Sequence, residues 1–371
     1  MKKNLFSINY IRKYLKKEDS TINQKKNLNQ KDSSGNILRT FLSSLMIISV
    51  FFITPLVINF TKEKMIFSND YENNSKNKLK TLLKNQEQKP DIDINTKFLF
   101  EDILTFNEQP NNTVRLSAST IEELFKSTNY NLEDVRKNKL VKPISLTFLP
   151  EEIKKIENSK KRKNLFIQII LPLIIKENQH IKLDRMKLFS ILNKSKNTNR
   201  EKNWLNSKFK QYGVVNKDLS TLKIRMDEIP VSMAIAQAAK ETGWGTSRFA
   251  QEGNALFGQW TWSGEGIKPS DADDDTTHKV MKFKVLQASV RAYQRNLNTH
   301  SSYKNFRYVR AELRDEEKKL DSMVLSEYLD KYAETGREYV IVLQKIIKQN
   351  NLKDFDDAKL LPSSIELESL I

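Results

Sequence analysis

The chain reads as a mainly α-helical protein with a small β-lobe, preceded by one transmembrane helix. Residues 40–60, TFLSSLMIISVFFITPLVINF, form a long apolar run without a charge. A helix of that length, rising 1.5 Å per residue, spans the roughly 30 Å hydrocarbon core of a bilayer. Through residues 201–353 apolar side chains recur at helical spacing in one segment after another. Among these lie an aromatic segment ending at Trp262, the acidic loop GEGIKPSDADDDTTH and the alternating HKVMKF, which together predict strand, loop and strand.

Residues 1–39 are rich in Lys, Asn and Ser, bury little and carry an excess of cations, so they are expected to form a basic cytoplasmic tail. Residues 40–60 are expected to be an uncleaved anchor. A cleaved signal would sit nearer the start and end in small residues, whereas TKEKM follows Phe60. Pro55 is a tolerable kink in such a helix. The remainder then lies on the far side of the membrane, beginning with a polar linker over 61–94.

Apolar residues return near Phe98, opening a region that runs to residue 200. In it VKPISLTFL (Val141 to Leu149) is expected to be a strand or extended segment, and Glu151 to Ile156 to open a helix after Pro150. Leu165 to Ile175 is a second apolar run, too short to span a bilayer and interrupted by Pro172, which predicts a buried core helix. Within 201–353, Trp204, Phe209, Tyr212 and Leu222 fall on helix-compatible spacing. Val290, Tyr293 and Leu297 share one face of a later helix, and Leu325 to Leu352 forms a last helical pair. Residues 354–371 show no strong pattern and are expected to be a tail.

The chain is organised around residues 230–262, PVSMAIAQAAKETGWGTSRFAQEGNALFGQWTW. Pro230 suits a first helical position, and Asp227 and Glu228 before it favour the positive end of a helix. Good helix formers run from Val231 to Thr242, and Gly243 and Gly245 end the helix. Ala234, Ala238 and Glu241 fall in one narrow sector, so the last turn carries a carboxyl on a stripe of small apolar side chains. On spacing alone Glu241 is either a desolvated carboxyl held protonated for acid chemistry or a glutamate turned to the surface at a fraying helix end. Three of the four tryptophans and several of the nine glycines gather here and just beyond. Indole faces on irregular backbone suit the stacking of sugar rings, and a small aromatic core is the alternative.

The segments AQAAKETGWGTSRFA and GNALFGQW closely resemble the bacterial Bax-like proteins, a branch of the glucosaminidase (mannosyl-glycoprotein endo-beta-N-acetylglucosaminidase-like) superfamily of peptidoglycan hydrolases. The apolar run at 165–175, with LP, Asn and Arg in and after it, resembles the segment that those proteins carry before their glucosaminidase part. The likeness covers roughly 147–353. It implies a lysozyme-like helical domain in which Glu241 is the catalytic acid. YAETGREY is similar to the tyrosine motif near the end of such domains, and implies that Tyr332 lines the cleft beside the acid.

Glycoside hydrolysis also needs a base or nucleophile facing the acid, or help from the substrate's acetamido group. Glu265, Asp271, Asp273, Asp274 and Asp275 are the available carboxylates; Asp273 or Asp274 is favoured, because clustered negative charges raise one another's pKa. Trp244, Phe257, Trp260 and Tyr293 are the expected sugar-binding side chains. The expected activity is cleavage of β-1,4 bonds at N-acetylglucosamine in peptidoglycan by a single-pass protein of the bacterial inner membrane facing the periplasm. The alternatives are a silent wall-binding or scaffold protein and a hydrolase of another N-acetylglucosamine glycan.

Other chemistries lack their residues. There are no cysteines, which excludes disulfides, thiolate metal sites and a thiol nucleophile. Asp271, Asp273 and Asp275 imitate the start of a calcium loop, but Thr276 and Lys282 stand where that loop needs glycine and glutamate. His180, His278 and His300 lack a zinc-hydrolase spacing, and no metal or cofactor is expected. The net charge of +17 is spread through tails and linkers without a nucleic-acid motif. A membrane surface and an anionic wall polymer are the expected partners.

Overall fold

The computed structural model describes Ile103 and residues 114–261, 266–268 and 279–362. The proposed anchor at 40–60 lies outside the described residues, and among those described no helix is long and apolar enough to cross a membrane. The described part is mainly helical.

Helices α1 (Ala118–Ser127) and α2 (Leu132–Asn138) lead to strand β1 (Leu140–Val141) and a 3-10 turn at Glu151–Lys155. Helices α3 (Ser159–Leu192), α4 (Asn199–Gln211) and α5 (Leu219–Arg225) precede the central helix α6 (Val231–Thr242). Helix α7 (Arg248–Gly253) then hands over to β2 (Trp260–Thr261), β3 (Gly266–Ile267) and β4 (Lys279–Met281). Helices α8 (Leu286–Thr299), α9 (Lys304–Asp315), α10 (Ser322–Ser326) and α11 (Arg337–Gln349) follow, then a 3-10 turn at Leu352–Phe355 and β5 (Lys359–Leu360).

The expected extended segment from Val141 to Leu149 contributes only its first residue to a sheet. Leu140 and Val141 pair in parallel with Lys359 and Leu360, a contact between distant parts of the chain that local patterning does not reveal. The expected helix at 151–156 is a 3-10 turn. The β-lobe is antiparallel in the order β2-β4-β3, with Trp260 opposite Val280 and Gly266 opposite Met281.

The apolar run at 165–175 lies inside α3 and is buried almost all round. Pro172 does not end the helix. Lacking an N–H, it leaves the carbonyl of Gln168 without its helical donor. The hydroxyl of buried Tyr130 donates to that carbonyl at 3.1 Å, and the Gln168 amide donates to the Tyr130 carbonyl at 2.8 Å.

Helix α6 is the axle of the fold, with Val231 to Ala239 all buried and α3, α10, α11 and the Leu352–Phe355 turn packed on it. Its alanines let those neighbours approach closely. Pro230 stands one position before the first helical residue and brings no side-chain cap. The cap comes from outside the helix: Asp356 accepts from the Ser232 N–H and hydroxyl, both at 2.8 Å. A carboxylate there satisfies a free N–H and faces the positive helix end.

Asp227 and Glu228, expected to serve the helix end, are instead held by arginines. Asp227 is 2 % exposed and takes a two-pronged contact from Arg314, at 3.0 and 3.2 Å, with Arg310 at 3.9 Å and Arg185 at 3.8 Å. Arg310 also donates to the carbonyls of Ile224, Asp227 and Glu228. The cluster therefore ties the entry to α6 onto α3 and α9.

Candidate active site

Glu241 stands in the last turn of α6, which closes at Gly243 in the left-handed conformation, with φ +56°. Trp244 and Gly245 continue in that region, at φ +63° and +86°. The turn is held by Thr242, whose hydroxyl donates to the Ala238 carbonyl at 2.6 Å and accepts from the Gly245 N–H at 2.9 Å. The chain thus leaves abruptly, and Glu241 remains partly buried against the core.

Burial pushes the Glu241 carboxyl above its ordinary value; a hydrogen bond from Tyr339 and the charge of Lys240 oppose that without reversing it. The Tyr339 hydroxyl donates to Glu241 Oε1 at 2.9 Å. The other oxygen, Oε2, lies against the backbone at Gly258, where φ is +60° and an added Cβ would sit 3.0 Å from it. A side chain there would be strained and crowd the carboxyl. Gly258→Ala is therefore expected to cost about 1–2 kcal/mol, read from the shift of the denaturant midpoint.

Behind Glu241 lies a set of tyrosines. Tyr339 stacks on Tyr332 with centroids 5.4 Å apart and planes at 9°, and Tyr332 lies 5.9 Å from Tyr303. Gln237, one turn before Glu241 and fully buried, donates to the Tyr339 oxygen at 3.1 Å and accepts from the Tyr293 hydroxyl at 2.7 Å. Burial raises the Tyr293, Tyr332 and Tyr339 phenols well above their ordinary value, so all three stay protonated.

Several expected site residues take other roles. Tyr332 is not the tyrosine bonded to Glu241; its hydroxyl donates to the Phe257 carbonyl at 2.8 Å and so fixes the backbone next to Gly258. Phe257 and Tyr293 are 1 % and 0 % exposed and stack face to face at 3.9 Å, which corrects their assignment as sugar contacts. A ring with no exposed face cannot stack on a sugar. Trp244 packs edge-on against Phe166 at 6.0 Å with Lys163 over its ring at 4.9 Å. Trp260, on β2, is 46 % exposed. Asp273 and Asp274 lie outside the described residues, as does Glu265; in sequence β3 falls inside the expected acidic loop, after Glu265, and the aspartates at 271–275 come between β3 and β4. Among the described residues no group of three or more His, Asp or Glu side chains is placed to hold a metal.

Tyr339, Gln237 and Gly258 are not among the site residues expected from the sequence. Gln237 precedes Glu241 by one helical turn, Tyr339 is the second tyrosine of YAETGREY and Gly258 sits inside FGQW. Those were the signals that could have found them.

The family model described as mannosyl-glycoprotein endo-beta-N-acetylglucosaminidase matches residues 219–352, which include Glu241, Gly258, Tyr332 and Tyr339. Protein bax of Escherichia coli (strain K12) is 31% identical to the chain over 194 residues, covering 51% of this chain and 69% of the relative. No solved structure matches the chain.

Proposed function

Because the chain belongs to the Bax-like family and carries the glucosaminidase domain of glycan-cleaving hydrolases, we propose that it cleaves β-1,4 bonds at N-acetylglucosamine in peptidoglycan. The observation that carries this reading is the state of Glu241, partly desolvated, with its pKa raised and one oxygen already hydrogen-bonded to Tyr339. Such a carboxyl keeps its proton closer to neutral pH, as protonation of a glycosidic oxygen requires. Once the proton has left, Tyr339 stabilises the new carboxylate.

In this mechanism Glu241 protonates the leaving oxygen while positive charge develops on the sugar ring. An acidic residue of the 265–275 loop, Asp273 or Asp274 first, or the substrate's own acetamido group serves the opposite face. Trp260 stacks on a sugar. The helical domain with its β-lobe is read as lysozyme-like. An anchor at 40–60 holds the domain on the periplasmic side of the inner membrane, and the cationic balance of 63 Lys and Arg against 46 Asp and Glu favours an anionic wall polymer.

The sign of the pH dependence follows from the acid role. A proton donor works below its pKa, and the Glu241 pKa is raised, so the alkaline limb of kcat lies above the ordinary glutamate value of 4.5. Activity that fell only on the acid side would contradict this assignment. The substrate class is tested by incubating the full-length protein with purified peptidoglycan and, separately, with a mannosyl glycoprotein, and measuring soluble reducing ends. Release from peptidoglycan alone is expected; release from the glycoprotein alone would move the substrate class.

A further inference from the structure

We propose that Gln237 is a positioning residue that decides which oxygen of Glu241 carries the transferable proton. The inference rests on Glu241 being the acid of a glycan-cleaving site. Three hydrogen bonds run in one direction: Tyr293 hydroxyl to Gln237 Oε1 at 2.7 Å, Gln237 Nε2 to Tyr339 oxygen at 3.1 Å, and Tyr339 hydroxyl to Glu241 Oε1 at 2.9 Å.

A carboxamide has unlike ends, and a phenol has one proton. Because Tyr293 donates to the oxygen end of Gln237, the NH2 end faces Tyr339. The Tyr339 oxygen is then occupied by a donor, and its single proton goes to Glu241 Oε1. That oxygen is an acceptor, so the proton of neutral Glu241 resides on Oε2, the oxygen against Gly258.

Reversing the amide gives the opposite pattern. Glu241 donates from Oε1 to Tyr339, Tyr339 donates to Gln237 Oε1, and Gln237 Nε2 faces Tyr293. Neutral Glu241 holds one proton in either pattern, but in the second it is turned inward to a buried phenol, away from any substrate. Reversal also takes from Tyr293, which is 0 % exposed, the carboxamide oxygen that now accepts its proton. Tyr293 therefore sets the direction of the chain, and Gln237 transmits it.

The test is an NMR titration of the full chain labelled with 13C at glutamate carboxyls, the Glu241 signal being assigned by its loss in Glu241→Gln. Wild type is compared with Gln237→Met, which keeps the volume and breaks the chain, and with Tyr293→Phe, which keeps the stack on Phe257 and frees the amide. Folding is checked by circular dichroism, and Tyr293→Phe carries the test if Gln237→Met does not fold. With Tyr339 free to accept from the acid, Glu241 is expected to titrate at higher pH in both variants. On peptidoglycan, kcat is expected to fall about tenfold with KM unchanged. Unchanged titration of Glu241 in both variants would overturn the inference and leave Gln237 a buried, satisfied amide. If wild type cleaves no glycan, the functional reading fails, while the titration still decides whether Gln237 controls the Glu241 proton.

Discussion

Replacing Glu241 with glutamine is expected to lower glycan cleavage by about 10²- to 10⁴-fold while leaving the fold intact. The amide fills the same volume, and its oxygen still accepts from Tyr339, so the tyrosine stack and the Gly258 turn have no reason to move. What is lost is the proton. Substrate binding does not depend on that proton, so kcat is expected to fall with KM nearly unchanged, measured as soluble reducing ends at several peptidoglycan concentrations. A comparable fall in Glu241→Asp would show in addition that the reach of the carboxyl matters, because shortening by one methylene draws it away from Tyr339.

The largest stability effect is expected from Asp227→Ala. Burial by itself pushes the Asp227 carboxyl up, but Arg310, Arg185 and Arg314 outweigh it and hold the pKa below its ordinary value. Removing the carboxylate leaves Arg310, which is 0 % exposed, facing no anion at that position. An uncompensated buried charge costs about 3–5 kcal/mol, a large share of a domain's stability. Urea unfolding of the variant should show that loss as a lower midpoint at nearly constant slope. The pH dependence has a definite sign. Since the folded pKa is depressed, the contribution is present above the unfolded value of about 3.9 and disappears as pH falls through the folded one. A variant as stable as wild type at pH 7 would show that the arginines are held by other groups.

The two predictions concern opposite ends of α6, and the helix itself was legible in the sequence. The helix formers from Val231 to Thr242 and the glycine after them marked it, although its start lies one residue beyond Pro230. The mainly helical character and the strand near Lys279 to Met281 were legible for the same reason, since both follow local periodicity. The core helix around 165–175 was legible as well, but not its passage through Pro172, which depends on Tyr130 reaching the Gln168 carbonyl from another helix.

Tertiary geometry settled what local patterning could not. Tyr332 and Tyr339 belong to one short motif, and their spacing does not say which phenol points at Glu241. The direction is set where Gly336, at φ +54°, lets α11 begin and puts Tyr339 in its first turn. Gln237 stands in an alanine-rich run with nothing local to single it out; its role needs Tyr293 and Tyr339, which come from other helices. Asp227 looked like a partner for the helix dipole, and the arginines that hold it lie far away in the chain. Aromatic residues near a candidate acid suggest sugar platforms, yet Phe257 and Tyr293 are spent on each other, because a stacked pair buries more apolar surface than either ring alone.

The bond that is cut tests the account most directly. Full-length protein and Glu241→Gln are each incubated with purified peptidoglycan, the new reducing ends are reduced with borohydride, and the terminal alditol is identified by mass spectrometry. N-acetylglucosaminitol from the wild type and none above background from Glu241→Gln is the predicted result. N-acetylmuramitol as the new end, or the same alditol in equal amount from the glutamine variant, would contradict the account.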